Sequence, residues 1–162
     1  MMKRKLAAMM TLMVLLAPSA MAATREEAET TARTLVGSDA VLRESELDDG
    51  YYELEFDGTD VQYDVFVDSK TGEAVWMETS VKGARKATAA DLDETAARAA
   101  VTALKPEAAI DYALLEQDDG RYVWNVFYSE GNQYGLCEVN AQTGEVTETQ
   151  VALSFPQGAL TA

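Results

Sequence analysis

The side chains able to do chemistry in this 162-residue chain are of few kinds: 28 carboxylates, a single cysteine (Cys137) and no histidine. Zinc hydrolysis needs histidine and carboxylate ligands in a set geometry, and a Ser-His-Asp or Cys-His relay needs an imidazole. The composition excludes both. A carboxylate pair could still cleave a glycoside, but the acidic residues fall mostly in turns and at outward strand positions, where a solvated face is expected. The stretch Asp57-Gly58-Thr59-Asp60 opens like a calcium loop. It then places Val61 where an oxygen ligand is needed and Asp68 where a bidentate Glu is needed, so it reads as a turn. No catalytic residue, metal site or cofactor is therefore expected, and the chain is not expected to be an enzyme. Cys137 has no second cysteine to pair with and reads as a small buried hydrophobe on the apolar face of a strand.

At the N-terminus, Lys3, Arg4 and Lys5 precede an apolar run from Leu6 to Ala17, followed by Pro18 and Ala20-Met21-Ala22. That pattern reads as a signal peptide over residues 1–22, because the run is too short for a bilayer of roughly 30 Å. No cysteine follows it to carry a lipid. The remainder is expected to be exported, without stable membrane insertion. It holds 10 of the 13 Lys and Arg and all 28 Asp and Glu, a formal charge of −18. Such a charge repels nucleic acid and anionic lipid. It fits either a solubilising surface or an acidic face for a basic partner or cations.

The exported part says nearly the same thing twice. Asp49-Gly50-Tyr51-Tyr52 returns as Asp119-Gly120-Arg121-Tyr122, 70 residues on, and Lys70-Thr71-Gly72-Glu73 returns as Gln142-Thr143-Gly144-Glu145, 72 on. This reads as a duplication with two extra residues in one loop of the second copy. Each copy opens on a helix. Thr24 and Glu27 form a capping box ahead of the stripe Ala28, Ala32, Leu35, with Gly37 as the stop. The second helix is expected from Asp91, with Glu94 three residues on and the stripe Ala96 or Ala97, Ala100, Val101, Leu104, closed by Lys105-Pro106. The period then falls to two. Strands are expected at 41–47, 51–56, 61–67 and 74–81, and again at 110–116, 122–129, 133–139 and 145–153, joined by Gly-bearing turns as antiparallel meanders. Tyr52, Tyr63, Tyr122 and Trp124 alternate onto the inward faces. Tyr51, Phe66, Trp76, Val123 and Phe127 fall on the other side, as a partner surface or a contact between copies. Residues 82–90, small and locally basic, read as an exposed linker between a first domain (24–81) and a second (91–153), with a loose tail at 154–162.

Tyr63-x-Val65-x-Val67-Asp68-x-x-Thr71-Gly72-Glu73, and Gly135-x-Cys137-x-Val139-Asn140-x-x-Thr143-Gly144-Glu145 after the second helix, resemble the PepSY domain family. The resemblance implies an α+β fold of two tandem units, each one helix packed on a four-stranded antiparallel sheet. It implies no catalytic residues, since the family shares none. It implies a non-enzymatic role in binding protein, such as inhibiting or modulating a secreted peptidase. The other reading is a structural or ligand-binding envelope protein unrelated to peptidases. The second copy departs from the pattern at Gly135, Cys137 and Asn140.

Overall fold

The computed structural model describes residues 22–118 and 120–153. All but the last residue of the expected signal peptide, and the expected tail, lie outside the described residues. Helix α1 (Arg25–Arg33) begins as its capping box dictates: the Thr24 hydroxyl accepts from the Glu27 amide, and the Glu27 carboxylate accepts from the Thr24 amide. Ala28 and Ala32 are its buried stripe. The helix ends at Thr34, before Gly37. Gly37 lacks the positive φ of a helix-ending glycine and is required for close approach instead. A Cβ there would lie 2.8 Å from Asp39 Oδ1 and 3.1 Å from the Tyr63 hydroxyl. Helix α2 (Glu94–Leu104) is capped by Asp93, whose carboxylate accepts from Ala96 N at 2.9 Å, and not by Asp91. Ala97 and Val101 are buried, whereas Leu104, at the helix end, is exposed.

The strands are β1 (Val41–Asp48), β2 (Tyr51–Asp57), β3 (Val61–Asp68), β4 (Ala74–Val81), β5 (Ala109–Asp118), β6 (Arg121–Glu130), β7 (Gln133–Asn140) and β8 (Val146–Ala152). The fold is α+β, and the two expected four-stranded sheets are halves of one. β4 pairs antiparallel with β8 from Trp76↔Ala152 to Ser80↔Glu148, giving a single sheet in the order β1-β2-β3-β4-β8-β7-β6-β5. Without this seam each half would present one more row of unpaired amides and carbonyls. Both helices cover the same face. Met77 packs under α1 and pairs with Val151, while Cys137 packs under α2 and pairs with Thr149, two residues from Val151 and so on the same side. Leu54, Phe56, Val65 and Val67 form the core with Ala28 and Ala32. Val126, Tyr128, Cys137 and Val139 form it with Ala97 and Val101.

The internal repeat survives to the level of single hydrogen bonds. Ala23 N donates to Ser69 O and its carbonyl accepts from the Tyr52 hydroxyl; Leu92 N donates to Ala141 O and its carbonyl accepts from Trp124 Nε1. Tyr52 therefore corresponds to Trp124, not to Tyr122. Leu47↔Tyr52 matches Leu115↔Trp124, offsets of 68 and 72. The 70-residue match holds only at the hairpin tip, and the second hairpin is longer by two residues on each strand. These added rungs have a use. Tyr122 N donates to Ala87 O and Ala141 N donates to Tyr122 O, so the stretch between the halves pairs onto them. Ala87 is buried. The 82–90 segment, most of whose residues are exposed, is thus anchored at Ala87.

Candidate protein-interaction face

The motif that carries the family resemblance is a device for closing a turn. Asp68 Oδ1 accepts from the amides of Lys70 (2.7 Å) and Thr71 (2.9 Å), and the Thr71 hydroxyl accepts from Glu73 N. Asn140 Oδ1 repeats this with Gln142 and Thr143, and the Thr143 hydroxyl with Glu145 N. Gly72 (φ 72°) and Gly144 (φ 77°) supply the left-handed position each turn needs. The change from Asp68 to Asn140 adds a donor: Asn140 Nδ2 bonds Arg85 O at 2.6 Å, pinning the segment between the halves. Gly135 is likewise structural. A Cβ on it would lie 2.2 Å from Tyr128 Cζ, so the buried ring of Tyr128 lies across its strand partner. Burial, then the neighbouring Cys137 and Glu130, push the Tyr128 phenol up to about 12. Cys137 is buried, its thiol 3.8 Å from the Thr149 hydroxyl, and burial raises its pKa. It is a core residue, as the alternation implied.

The face opposite the helices is where the sheet gathers charge. Cross-strand pairing aligns one row over all eight strands: Glu44, Glu55, Asp64, Glu78, Gln150, Leu136, Phe127 and Tyr112. Its first half is wholly acidic and its last three members are apolar or aromatic. The Phe127 and Tyr112 rings stack with centroids 4.3 Å apart. A neighbouring row runs Glu46, Glu53, Phe66, Trp76, Ala152 and Tyr134. On the other flank Glu148, Glu138, Asn125 and Leu114 lie side by side. Five carboxylate pairs are directly opposite each other: Glu44↔Glu55, Glu46↔Glu53, Glu55↔Asp64, Asp64↔Glu78 and Glu138↔Glu148. Like charges so placed destabilise a sheet. A groove of about 370 Å³ opens over the acidic half, between β1 and β4.

The electrostatics record the crowding. Burial first, then Glu148, raises the Asp64 carboxyl above its ordinary range. Burial, then Glu148 and Asp64, does the same for Glu78. Glu138 is raised by burial and Glu148, against the opposing pull of Arg121, whose guanidinium lies 3.3 Å from Glu138 Oε2. Beside this pair, Asn125 is only 8% exposed and its Oδ1 has no hydrogen-bond partner. Among the residues expected on the outward side, Phe66, Trp76 and Phe127 do join this face, and Val123 is buried there. Tyr51, opposite Asp68 at the strand end, stays exposed. The sequence showed acidic residues at outward strand positions, where a solvated face is expected, and did not single out Asp64, Glu78, Glu138 or Glu148. Alternation shows that each points outward, but only strand register shows which carboxylates oppose one another. Among the described residues, no cluster of three or more Cys, Asp or Glu side chains is arranged to hold a metal ion.

The fold has several distant likenesses among solved structures. A cysteine-rich secretory protein from Staphylococcus aureus aligns at TM-score 0.41 and 13% identity over 76% of this chain, which spans 42% of that protein's length. A BLIP-like protein from Bacteroides fragilis aligns at TM-score 0.34 and 12% identity, over 82% of this chain and 89% of that one. A DUF2874 family protein from Bacteroides ovatus aligns at 0.32 and 16%, over 76% and 84%. No functionally curated protein matches the chain. The family profile described as "Peptidase propeptide and YPEB domain" matches twice, over residues 22–75 and 92–150, the two halves that share one turn motif and one core plan. The chain belongs to the PepSY family, in two tandem copies.

Proposed function

We propose that this chain is an exported, non-enzymatic binding module that restrains a peptidase outside the cytoplasm. The observation that carries the reading is membership, twice over, in a family described by its occurrence as a peptidase propeptide. In this reading residues 1–22 are removed on export, residues 24–81 and 91–153 are the two units, and residues 82–90 join them. The helix-free face is the contact surface, because the helices occupy the other face and the two motif turns are spent on closing the fold. No helix among the described residues is long and apolar enough to cross a membrane. The test is to use the purified chain as bait for exported proteins of its source, then assay whatever is retained for peptidase activity. A retained peptidase that slows in proportion to added chain supports the proposal. Retention without loss of activity, or of no peptidase, contradicts it and favours the envelope-protein reading.

A further inference from the structure

We propose that the helix-free face docks one polypeptide segment of a partner protein, a segment with Lys or Arg concentrated at the end over β1–β4 and apolar side chains at the end over β5–β8. The inference rests on reading the chain as a protein-binding module, but it holds for any partner, peptidase or not.

The first argument is the set of opposed carboxylates. Four acidic residues occupy one row on four consecutive strands, Glu44, Glu55, Asp64 and Glu78. Each adjacent pair costs stability in the free molecule. A cationic side chain lodged between two of them turns that repulsion into attraction, and the partly buried members Asp64 and Glu78 interact with it through a medium less screened than bulk water. The second argument is independent of charge count. Asn125 projects from the same face directly across from Glu138, is more than nine-tenths buried, and leaves its Oδ1 without a donor. An unsatisfied buried acceptor is expensive, and a backbone amide of the docked segment passing beside Glu138 would satisfy it whatever the side chains at that end. The third argument is the other end of the row: Leu136, Phe127 and Tyr112 continue the carboxylates without a break, and Leu114 and Tyr112 are about half exposed beside them. An occupant must therefore change character along its length. Seven inter-strand spacings of about 4.8 Å make the row roughly 34 Å long, the reach of about ten extended residues.

Lys3-Arg4-Lys5 and the apolar run Leu6–Ala17 have this character, but they belong to the segment removed on export in this reading, and the remaining segments of the chain do not fit. Residues 154–162 contain no Lys or Arg. The locally basic stretch after β4 is already engaged: Lys82 pairs with Asp57 and donates to Gly58 O, and the carbonyls of Arg85 and Ala87 are bonded to Asn140 and Tyr122. A second copy, without residues 1–22, would bring a formal charge of −18 against an acidic row. Charge complementarity leaves a basic segment of another protein.

The experiment is calorimetric titration of the full chain with two synthetic peptides of one composition. In one, a block of lysines is followed by a block of Leu and Phe; in the other the same residues are interspersed. The block peptide is expected to bind about tenfold more tightly than the interspersed one, and more weakly at high salt. The variant Glu44→Gln, Glu55→Gln, Asp64→Asn, Glu78→Gln is expected to lose about tenfold in affinity. The control variant Glu26→Gln, Asp60→Asn, Glu73→Gln, Glu107→Gln removes the same formal charge elsewhere and is expected to lose less than about twofold. Both are checked for native circular dichroism. Equal binding of the two peptides, equal loss in the two variants, or no binding would each overturn the proposal. Selective binding of the block peptide with no peptidase retained from the source would leave this inference standing and sink the peptidase reading alone. A retained, inhibited peptidase with no selectivity between the peptides would do the reverse.

Discussion

At the scale of single residues, the departures of the second copy from the family pattern are fitted to the fold. Gly135 stands where the first copy has Tyr63, and the space is taken by the ring of Tyr128. Gly135→Ala should destabilise the protein by about 1–3 kcal/mol in urea unfolding, because Tyr128 is buried and its ring cannot swing clear. An unchanged midpoint would show that the ring yields. Asn140 does what Asp68 does at its turn and also donates to Arg85 O. Asn140→Asp should therefore cost about 1–3 kcal/mol, since it removes a donor and places a charge at a buried position. Asp68→Asn keeps the accepting oxygen and should change neutral-pH stability by less than about 0.5 kcal/mol. Equal effects of the two substitutions would deny the anchoring role. The turn itself was legible in the Thr-Gly spacing. The anchoring was not, because it joins residues 55 apart in sequence.

At the scale of elements, helices and strands were legible because the apolar period changes from about 3.6 to 2 and turns are marked by glycine. The misjudged ends have physical causes. Asp93 displaces Asp91 as the cap because its carboxylate reaches the Ala96 amide, and Gly37 is small for the sake of Asp39 and Tyr63. The longer second hairpin was hidden because sequence similarity follows its tip while register follows the sheet. Register also creates the acidic row, with a consequence for pH. Asp64, Glu78 and Glu138 have carboxyls raised above their unfolded values, so in that range the folded state binds more protons than the unfolded one. Stability contributed by these groups is present at low pH and lost as pH rises through the raised values. Asp39, Asp68 and Glu27 are lowered by hydrogen bonds from Thr59, from Thr71 and Lys70, and from Thr24. Their contribution is present above the unfolded values and lost as pH falls through the lowered ones. The melting temperature should therefore peak between the lowered and the raised carboxyls, fall as pH rises toward neutrality and fall again in acid. Glu78→Gln should flatten the neutral limb and raise stability at pH 7 by roughly 0.5 kcal/mol. A melting temperature that rises steadily from pH 5 to 8 would contradict this.

At the scale of the whole molecule, the sequence showed two units and left their relation open, because the β4–β8 seam joins Thr79 to Thr149 and no local signal marks a pairing so distant. The seam has an energetic consequence: two buried clusters share one sheet, so both halves should unfold in a single transition. Leu54→Ala, in the first cluster, should lower that transition by about 2–5 kcal/mol without splitting it, with the fluorescence of Trp124 in the other half, read in a Trp76→Phe background, reporting the same midpoint. Two transitions would mean that the halves are only tethered. The seam also makes one continuous surface from acidic and apolar halves that neither copy has alone, and the account's central claim is that this surface is the working face of the protein. The most direct measurement is to repeat the capture of exported proteins with the Glu44→Gln, Glu55→Gln, Asp64→Asn, Glu78→Gln variant beside the unaltered chain and the charge-matched control. Loss of the captured partner from the row variant alone is the predicted result; equal capture by all three would contradict the account.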